Sequence, residues 1–358
     1  MSERGKNFVL TVVTICLTLL ICEFGLRAWH GVGLFDFSDF RDRDLRTVRD
    51  SVKYDSELGW TLKDNYDSPD LHTVAYGIRR NSAQQAGNRP GHLVAVGSST
   101  TEGLSGTDEQ SWPAQLERLL DQPVDNAAVV AYGLDQMVLR AERLLPLERP
   151  QILLLGVETA NIQWMRSAVV WGAGKPFFTV EGNALRVNNV PVPTSGWPRD
   201  PFTRFKAVLG HSYLIDRTMS WLAPHRWSVA RTGDDRGSPD PVDVGCRAMR
   251  RLERQLDAGN VRGLFVAEPQ LPEVALTKEP PRELFVVQEC ARQAGFSIVD
   301  PFPVWQAEYR SDPHGVAAYW ANGRTHYSAE GNRRLAEMVA DALATEFGKA
   351  EPAKRARR

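Results

Sequence analysis

The chain has 358 residues, of which 42% are hydrophobic, enough to bury a large core as one big domain or two small ones. Its 43 basic and 44 acidic side chains leave a formal charge of -1, so nothing in the charge balance points to nucleic acid as a partner. No Cys or His cluster has metal-ligand spacing, and neither a metal nor another cofactor is expected.

Residues 8–22 (FVLTVVTICLTLLIC) carry no charge and follow Arg4 and Lys6. Extended through Phe24, Gly25 and Leu26, at the expense of including Glu23, the run approaches the roughly 20 residues needed to cross a bilayer. No small-residue cleavage site follows, as a signal peptide would require, and bulky Leu20 and Ile21 before Cys22 do not suit a lipoprotein. Residues 1–27 are therefore expected to be an uncleaved membrane anchor, with everything after Arg27 in the periplasm or otherwise outside the cytoplasm.

Residues 28–88 are a polar, Asp- and Arg-rich leader whose most distinctive part is DSELGWTLKDNY at 55–66. Gly59 and Trp60 are expected to dock an otherwise extended segment onto the domain that follows, in a structural role. From about residue 90, short apolar runs alternate with amphipathic stretches, the pattern of a parallel sheet covered on both faces by helices. Strands are expected at 92–96, 124–128, 152–155, 261–267 and 296–299, and helices at 110–121, 134–146, 244–257, 282–294 and 328–347. In the last helix Leu335, Met338, Val339 and Leu343 form one apolar stripe that reads as core.

The interval 163–243 breaks this rhythm with Trp164, Trp171, Trp197, Trp221, Trp227 and the stretch GDDRGSPDP at 233–241. It is longer than a crossover needs and reads as an inserted lid or substrate-binding subdomain, its tryptophans stacking on sugar rings or filling a small core. The resulting division is an anchor at 1–27, the leader at 28–88, a catalytic domain at 89–348 containing the insertion, and a solvated basic tail at 349–358. Cys16 and Cys22 fall in the anchor. Cys246 and Cys290 fall in helical stretches, where either a bridge or two buried thiols fits.

The stretch VAVGSSTTEG at 94–103 places a serine where a buried strand turns into a helix. Leu93, Val94, Ala95 and Val96 read as a strand buried on both faces, and Gly97 clears its carboxyl end, where open α/β sheets bind ligands. Far downstream, His326 in NGRTHYSAEGNRRLAEMVADAL stands just before Ser328, Ala329, Glu330 and Gly331, which open the last helix. A histidine there can be a cap, a packed side chain or a base. Paired with Ser99, it is expected to take the hydroxyl proton during attack on a carbonyl carbon.

Gly97, Ser99, Thr101 and Gly103 resemble in register the first block of the SGNH, or GDSL-type, hydrolases, with Ser98 in place of the usual Asp. The residues around His326 resemble that family's last block. The resemblance spans roughly residues 55–345 and implies a three-layer α/β/α flavodoxin-like sandwich with a parallel sheet of about five strands. It implies Ser99 as nucleophile, His326 as base, and an oxyanion hole from Ser99, Gly133 (in DNAAVVAYGLDQ) and an Asn of the third block. In PQILLLGVETANIQW the usual Asn-Asp pair is missing; Asn161 is the preferred match, because Glu158, the alternative, would repel an oxyanion if ionised. The carboxylate normally three positions before the histidine is Gly323 here, which leaves Asn322, Asp312 or a backbone carbonyl to orient the ring. The implied activity is that of a membrane-anchored serine esterase acting through an acyl-enzyme on an O-acyl ester, O-acetyl above all. An acylated carbohydrate of the cell envelope or an exported polysaccharide is the expected partner, alongside the membrane. The alternatives are an O-acyltransferase to polysaccharide and a catalytically impaired carbohydrate-binding or scaffold protein of the same fold.

Overall fold

The computed structural model describes residues 2–35, 50–82, 85, 93–170, 173–182, 184–193, 203–222, 227, 240–321 and 325–346. Asn322, Gly323, Trp171, Trp197, most of the stretch 233–241 and the tail 349–358 lie outside the described residues.

The elements run α1 (Glu3–Trp29), β1 (Val52–Asp55), β2 (Gly59–Leu62), β3 (Leu93–Val96), α2 (Ser99–Glu102), α3 (Trp112–Leu120), β4 (Val124–Asn126), α4 (Leu134–Glu148), β5 (Ile152–Val157) and α5 (Thr159–Gln163). Two hairpins follow, β6 (Val169–Val170) with β7 (Ala173–Gly174) and β8 (Phe177–Glu181) with β9 (Ala184–Asn188), then α6 (Thr203–Gly210) and α7 (Tyr213–Leu222). The remainder is α8 (Pro241–Gly259), β10 (Arg262–Ala267), α9 (Leu271–Leu276), α10 (Arg282–Gln293), β11 (Ser297–Val299), α11 (Phe302–Ser311), α12 (Pro313–Ala317) and α13 (Ala329–Glu346).

These elements form two compact units, 1–50 with 197–231, and 51–196 with 232–358. In the first, α1 is long and apolar enough to cross a membrane, and its apolar window is unburied. The inserted helices α6 and α7 belong to this unit, whereas the hairpins β6–β9 belong to the second. The insertion expected at 163–243 is therefore divided between the two.

The second unit is built on five parallel strands in the order β4-β3-β5-β10-β11. Counted along the chain this is 2-1-3-4-5, the flavodoxin-like winding. Successive side chains on a strand point to opposite faces. Leu93, Ala95, Ile152, Leu154, Leu264 and Val266 accordingly share one core with Trp112 and Leu116 of α3 and Leu335 and Val339 of α13. The alternate residues Val94, Val96, Leu153, Leu155 and Phe265 are as deeply buried, on the face covered by α4, α8 and α10. A strand covered on both sides has no polar alternation, which is why these runs are continuously apolar. A disulfide between Cys246 and Cys290 joins α8 to α10 and selects the bridged alternative.

Part of the leader differs from the expected extended segment: it is an antiparallel hairpin within the second unit. Asp55 Oδ1 accepts the Glu57 and Leu58 N–H groups at 2.9 Å each, closing the turn, and Gly59 takes a φ of +85°. A Cβ at Gly59 would lie 2.4 Å from Gly174 O, so the close approach of β7 also requires glycine. Leu58, Trp60 and Leu62 are buried, and Trp60 Nε1 donates to Val130 O at 3.0 Å.

Candidate active site

At the end of β3 the chain turns at Gly97 into α2, whose first residue is Ser99. A Cβ on Gly97 would come within 2.0 Å of Thr101 Oγ1, and one on Gly156 of the neighbouring β5 within 2.1 Å of the same atom. Two glycines thus make room for the Thr101 side chain beneath the turn. Its hydroxyl donates to Glu268 Oε1 at 2.7 Å, and Trp112 Nε1 donates to the same oxygen at 2.9 Å. These bonds fasten α2 and α3 to the carboxyl end of β10. Ser99 is left at the rim of the sheet, 5% exposed.

His326 lies on the turn that leads from α12 into α13. Its carbonyl accepts from Ala321 N–H at 2.8 Å, and Ser328 N–H donates to Tyr319 O at 2.8 Å. The Ser328 hydroxyl donates to Ala318 O at 2.7 Å and accepts the Gly331 N–H at 3.2 Å. Between them, Tyr327 packs edge-on against Trp305 and Trp320 and donates to Pro269 O at 3.0 Å. So held, the imidazole presents Nε2 at 2.9 Å from Ser99 Oγ, joining side chains 227 positions apart. Burial lowers the His326 pKa, which favours the neutral ring needed to accept a proton.

Among the described residues, the ring has no hydrogen-bond partner besides Ser99. Asp312 is exposed and caps α12, accepting the Gly315 N–H at 2.9 Å, so the structure does not bring it to the imidazole. Asn322 falls outside the described residues.

The three expected oxyanion donors differ in availability. Ser99 N–H stands at the first position of α2, where no intrahelical acceptor exists. Gly133 caps α4, and its N–H already donates to Gln136 Oε1 at 3.1 Å. Asn161 is fully buried; its Oδ1 accepts the Glu158 N–H at 2.7 Å and its Nδ2 donates to Tyr132 O at 3.1 Å. One hydrogen of that amide remains for another acceptor.

Glu158 follows β5 as Ser99 follows β3, the strands being paired Val96 to Leu155. Gln270 Nε2 donates to its Oε2 at 3.0 Å. Burial raises the pKa of this carboxyl, and burial with the neighbouring Glu158 charge pushes Glu268 up to about 8. Burial disfavours the charged form of both carboxyls.

Two supports of the rim have no local sequence signature. Below the Gly133 turn, Lys175 from between β7 and β8 donates to Asp135 Oδ2 at 2.5 Å, Pro176 O at 2.9 Å and Ser167 O at 3.2 Å, with both charged groups fully buried. From the leader, buried Arg79 donates to Glu102 O (2.7 Å), Gly103 O (2.8 Å), Gly106 O (2.8 Å), Asp70 O (2.7 Å) and Asp108 Oδ1 (3.0 Å). It thereby braces the loop that leaves α2.

The described tryptophans of the insertion are divided between units. Trp164 is half-buried in the second, while in the first Trp221 is exposed and Trp227 is buried, donating to Asp216 Oδ1 at 2.8 Å. Trp227 is thus a packing residue. Among the described residues no group of His, Cys, Asp and Glu is placed to hold a metal ion. A groove lined by Arg250, Glu253, Arg262, Gln293 and Glu346 lies at the amino ends of β10 and β11, away from the rim.

No family model matches the chain, and no curated protein matches it. Solved structures do. The chain is similar to the acetyl xylan esterase AlAXEase at 13% identity, covering 70% of this chain and 99% of that one, with a TM-score of 0.41. It is similar to Axe2, an acetylxylan esterase from Geobacillus stearothermophilus, at 14% identity, covering 72% and 93%, with a TM-score of 0.39. A putative lipolytic protein of the G-D-S-L family from Desulfitobacterium hafniense DCB-2 is 13% identical over 70% and 98%, with a TM-score of 0.33.

Proposed function

We propose that this chain is a serine esterase of the SGNH type, anchored in a membrane by α1, which hydrolyses an O-acyl ester through Ser99 and His326. The observation that carries the reading is the 2.9 Å contact between Ser99 Oγ and His326 Nε2 at the carboxyl rim of a parallel sheet. In this reaction His326 takes the hydroxyl proton as Ser99 Oγ bonds to the ester carbon, and the carbonyl oxygen becomes an oxyanion. Ser99 N–H donates to that oxygen, with the spare Asn161 hydrogen and Gly133 N–H, on its release from Gln136, as further donors. Collapse breaks the bond to the alcohol, which leaves with the proton from His326. Water, deprotonated by the same imidazole, then releases the acid and frees Ser99.

The 5% exposure of Ser99 favours a short acyl group over a long chain. The apolar helix α1 and the Cys246–Cys290 bond support a catalytic unit outside the cytoplasm, where disulfides persist. An O-acetyl group on a cell-envelope or exported polysaccharide is the substrate class that fits both. The test is hydrolysis of p-nitrophenyl acetate by the purified chain, expected to disappear in Ser99→Ala. Equal rates in the two proteins would sink the esterase reading. Adding an acceptor oligosaccharide and finding acylated sugar rather than free acid would move the assignment to an acyltransferase.

A further inference from the structure

The inserted helices α6 and α7 are fastened to the end of α1. Glu23 Oε1 accepts the Tyr213 N–H at 2.8 Å, and its Oε2 accepts the Leu214 N–H and the Ser212 hydroxyl at 2.8 Å each. Glu23 also pairs with Arg27 at 2.6 Å, and Arg27, only 2% exposed, donates to His211 O and Leu34 O at 3.2 Å each. The His30 and Tyr213 rings meet edge-on at 5.6 Å. The charges that close the apolar run of α1 are therefore satisfied within the unit, and α7 begins where that run ends.

The depth of this junction follows from helix geometry. From Phe8 to Glu23, α1 rises about 22 Å, most of a hydrocarbon core of about 30 Å, so Glu23 belongs near the edge of that core. In the same unit large apolar side chains stand exposed: Phe205 (63%) and Val208 (69%), which share a face of α6, Trp221 (81%) and Leu222 (61%) at the end of α7, and Trp29 (85%) at the end of α1. Arg217 is exposed one turn before Trp221 on the same face of α7, where a lipid phosphate would meet it.

We propose that α6 and α7 are an interfacial element that lies on the bilayer and buries Phe205, Val208, Trp221 and Leu222 at headgroup level. The inference rests on the reading of α1 as a membrane anchor and adds a second contact with the same lipid. Its physical basis is the bonding of α7 to Glu23, together with aromatic and aliphatic side chains that water leaves uncompensated and a bilayer interface accommodates.

The test uses the full chain in vesicles of phosphatidylethanolamine and phosphatidylglycerol, with an environment-sensitive fluorophore on one cysteine at a time. The sites are native Cys16, Val208→Cys and Trp221→Cys, the other free cysteines being replaced by serine. The expected result is blue-shifted emission at 208 and 221, quenched by nitroxides near the lipid headgroup and protected from aqueous iodide. The label on Cys16 should respond to nitroxides deep in the acyl chains. Iodide quenching at 208 and 221 equal to that of free fluorophore, with Cys16 still protected, would overturn the inference and leave the anchor standing. Iodide quenching at Cys16 as well would overturn both.

Discussion

The imidazole of His326 and the corner formed by Gly133 and Asn161 share one rim, yet they are held in opposite ways. The ring is positioned by backbone bonds on either side of it and by the packing of Tyr327, and its one hydrogen bond among the described residues is to Ser99. At the corner the polar groups bond chiefly to one another: Gly133 N–H to Gln136, Asn161 to Glu158 and Tyr132, and Asp135 to Lys175. On the proposed reading, the group that exchanges protons is fixed through its neighbours, whereas a group that holds a turn in place is fixed through its own bonds.

The largest effect should come from the loosely bonded side. Ser99→Ala or His326→Ala should lower turnover of p-nitrophenyl acetate by up to roughly six powers of ten, with little change in the unfolding midpoint. A comparable loss of stability would show that this pair, too, is structural. On the saturated side, Lys175→Met leaves the buried Asp135 carboxylate without its cation and should cost roughly 3–5 kcal/mol in urea unfolding. Asn161→Ala separates the two roles of the corner. A fall of about 10²–10³ in kcat at intact KM marks an oxyanion donor, while lost stability at unchanged kcat marks a brace.

Two pH measurements sharpen the contrast. The Glu268 carboxyl, pushed up to about 8 in the fold from the 4.5 of an exposed glutamate, holds a proton that the unfolded chain releases. Stability should therefore fall as pH rises from about 4.5 to about 8, and Glu268→Gln should flatten that slope, recovering roughly 3–5 kcal/mol at the alkaline end. The smallest effect concerns His326, whose base form is required: the acid limb of kcat/KM should have its midpoint below the 6.5 of an unperturbed ring. A midpoint above that value would mean that a carboxylate reaches the imidazole.

The three inner strands β3, β5 and β10 were legible because burial on both faces leaves an almost wholly apolar run, and Ser99 and His326 were singled out because each stands where a glycine turn or a capping serine opens a helix. The hairpin at 52–62 was not: β1 is only half-buried, and its turn depends on Asp55 bonding to two amides. Arg79 was equally hidden, since its main acceptors are backbone carbonyls, three of them more than twenty positions away, which no side-chain pattern announces. The engagement of Gly133 with Gln136 turns on a side-chain rotamer, and the capping of Asp312 on Gly315 removed a carboxylate that spacing alone had left available.

The division of the insertion also bears on what a cut in the chain can separate. The backbone leaves the first unit after residue 50, returns to it at 197 and departs again after 231, so the two units are joined at three places along one polypeptide. A protease that nicks the chain once between α1 and β1 would not free the second unit from α1, because Ser212, Tyr213 and Leu214 would still grip Glu23 without a covalent link. Liberation into the surroundings would need that grip to melt or a further pair of cuts flanking α6 and α7.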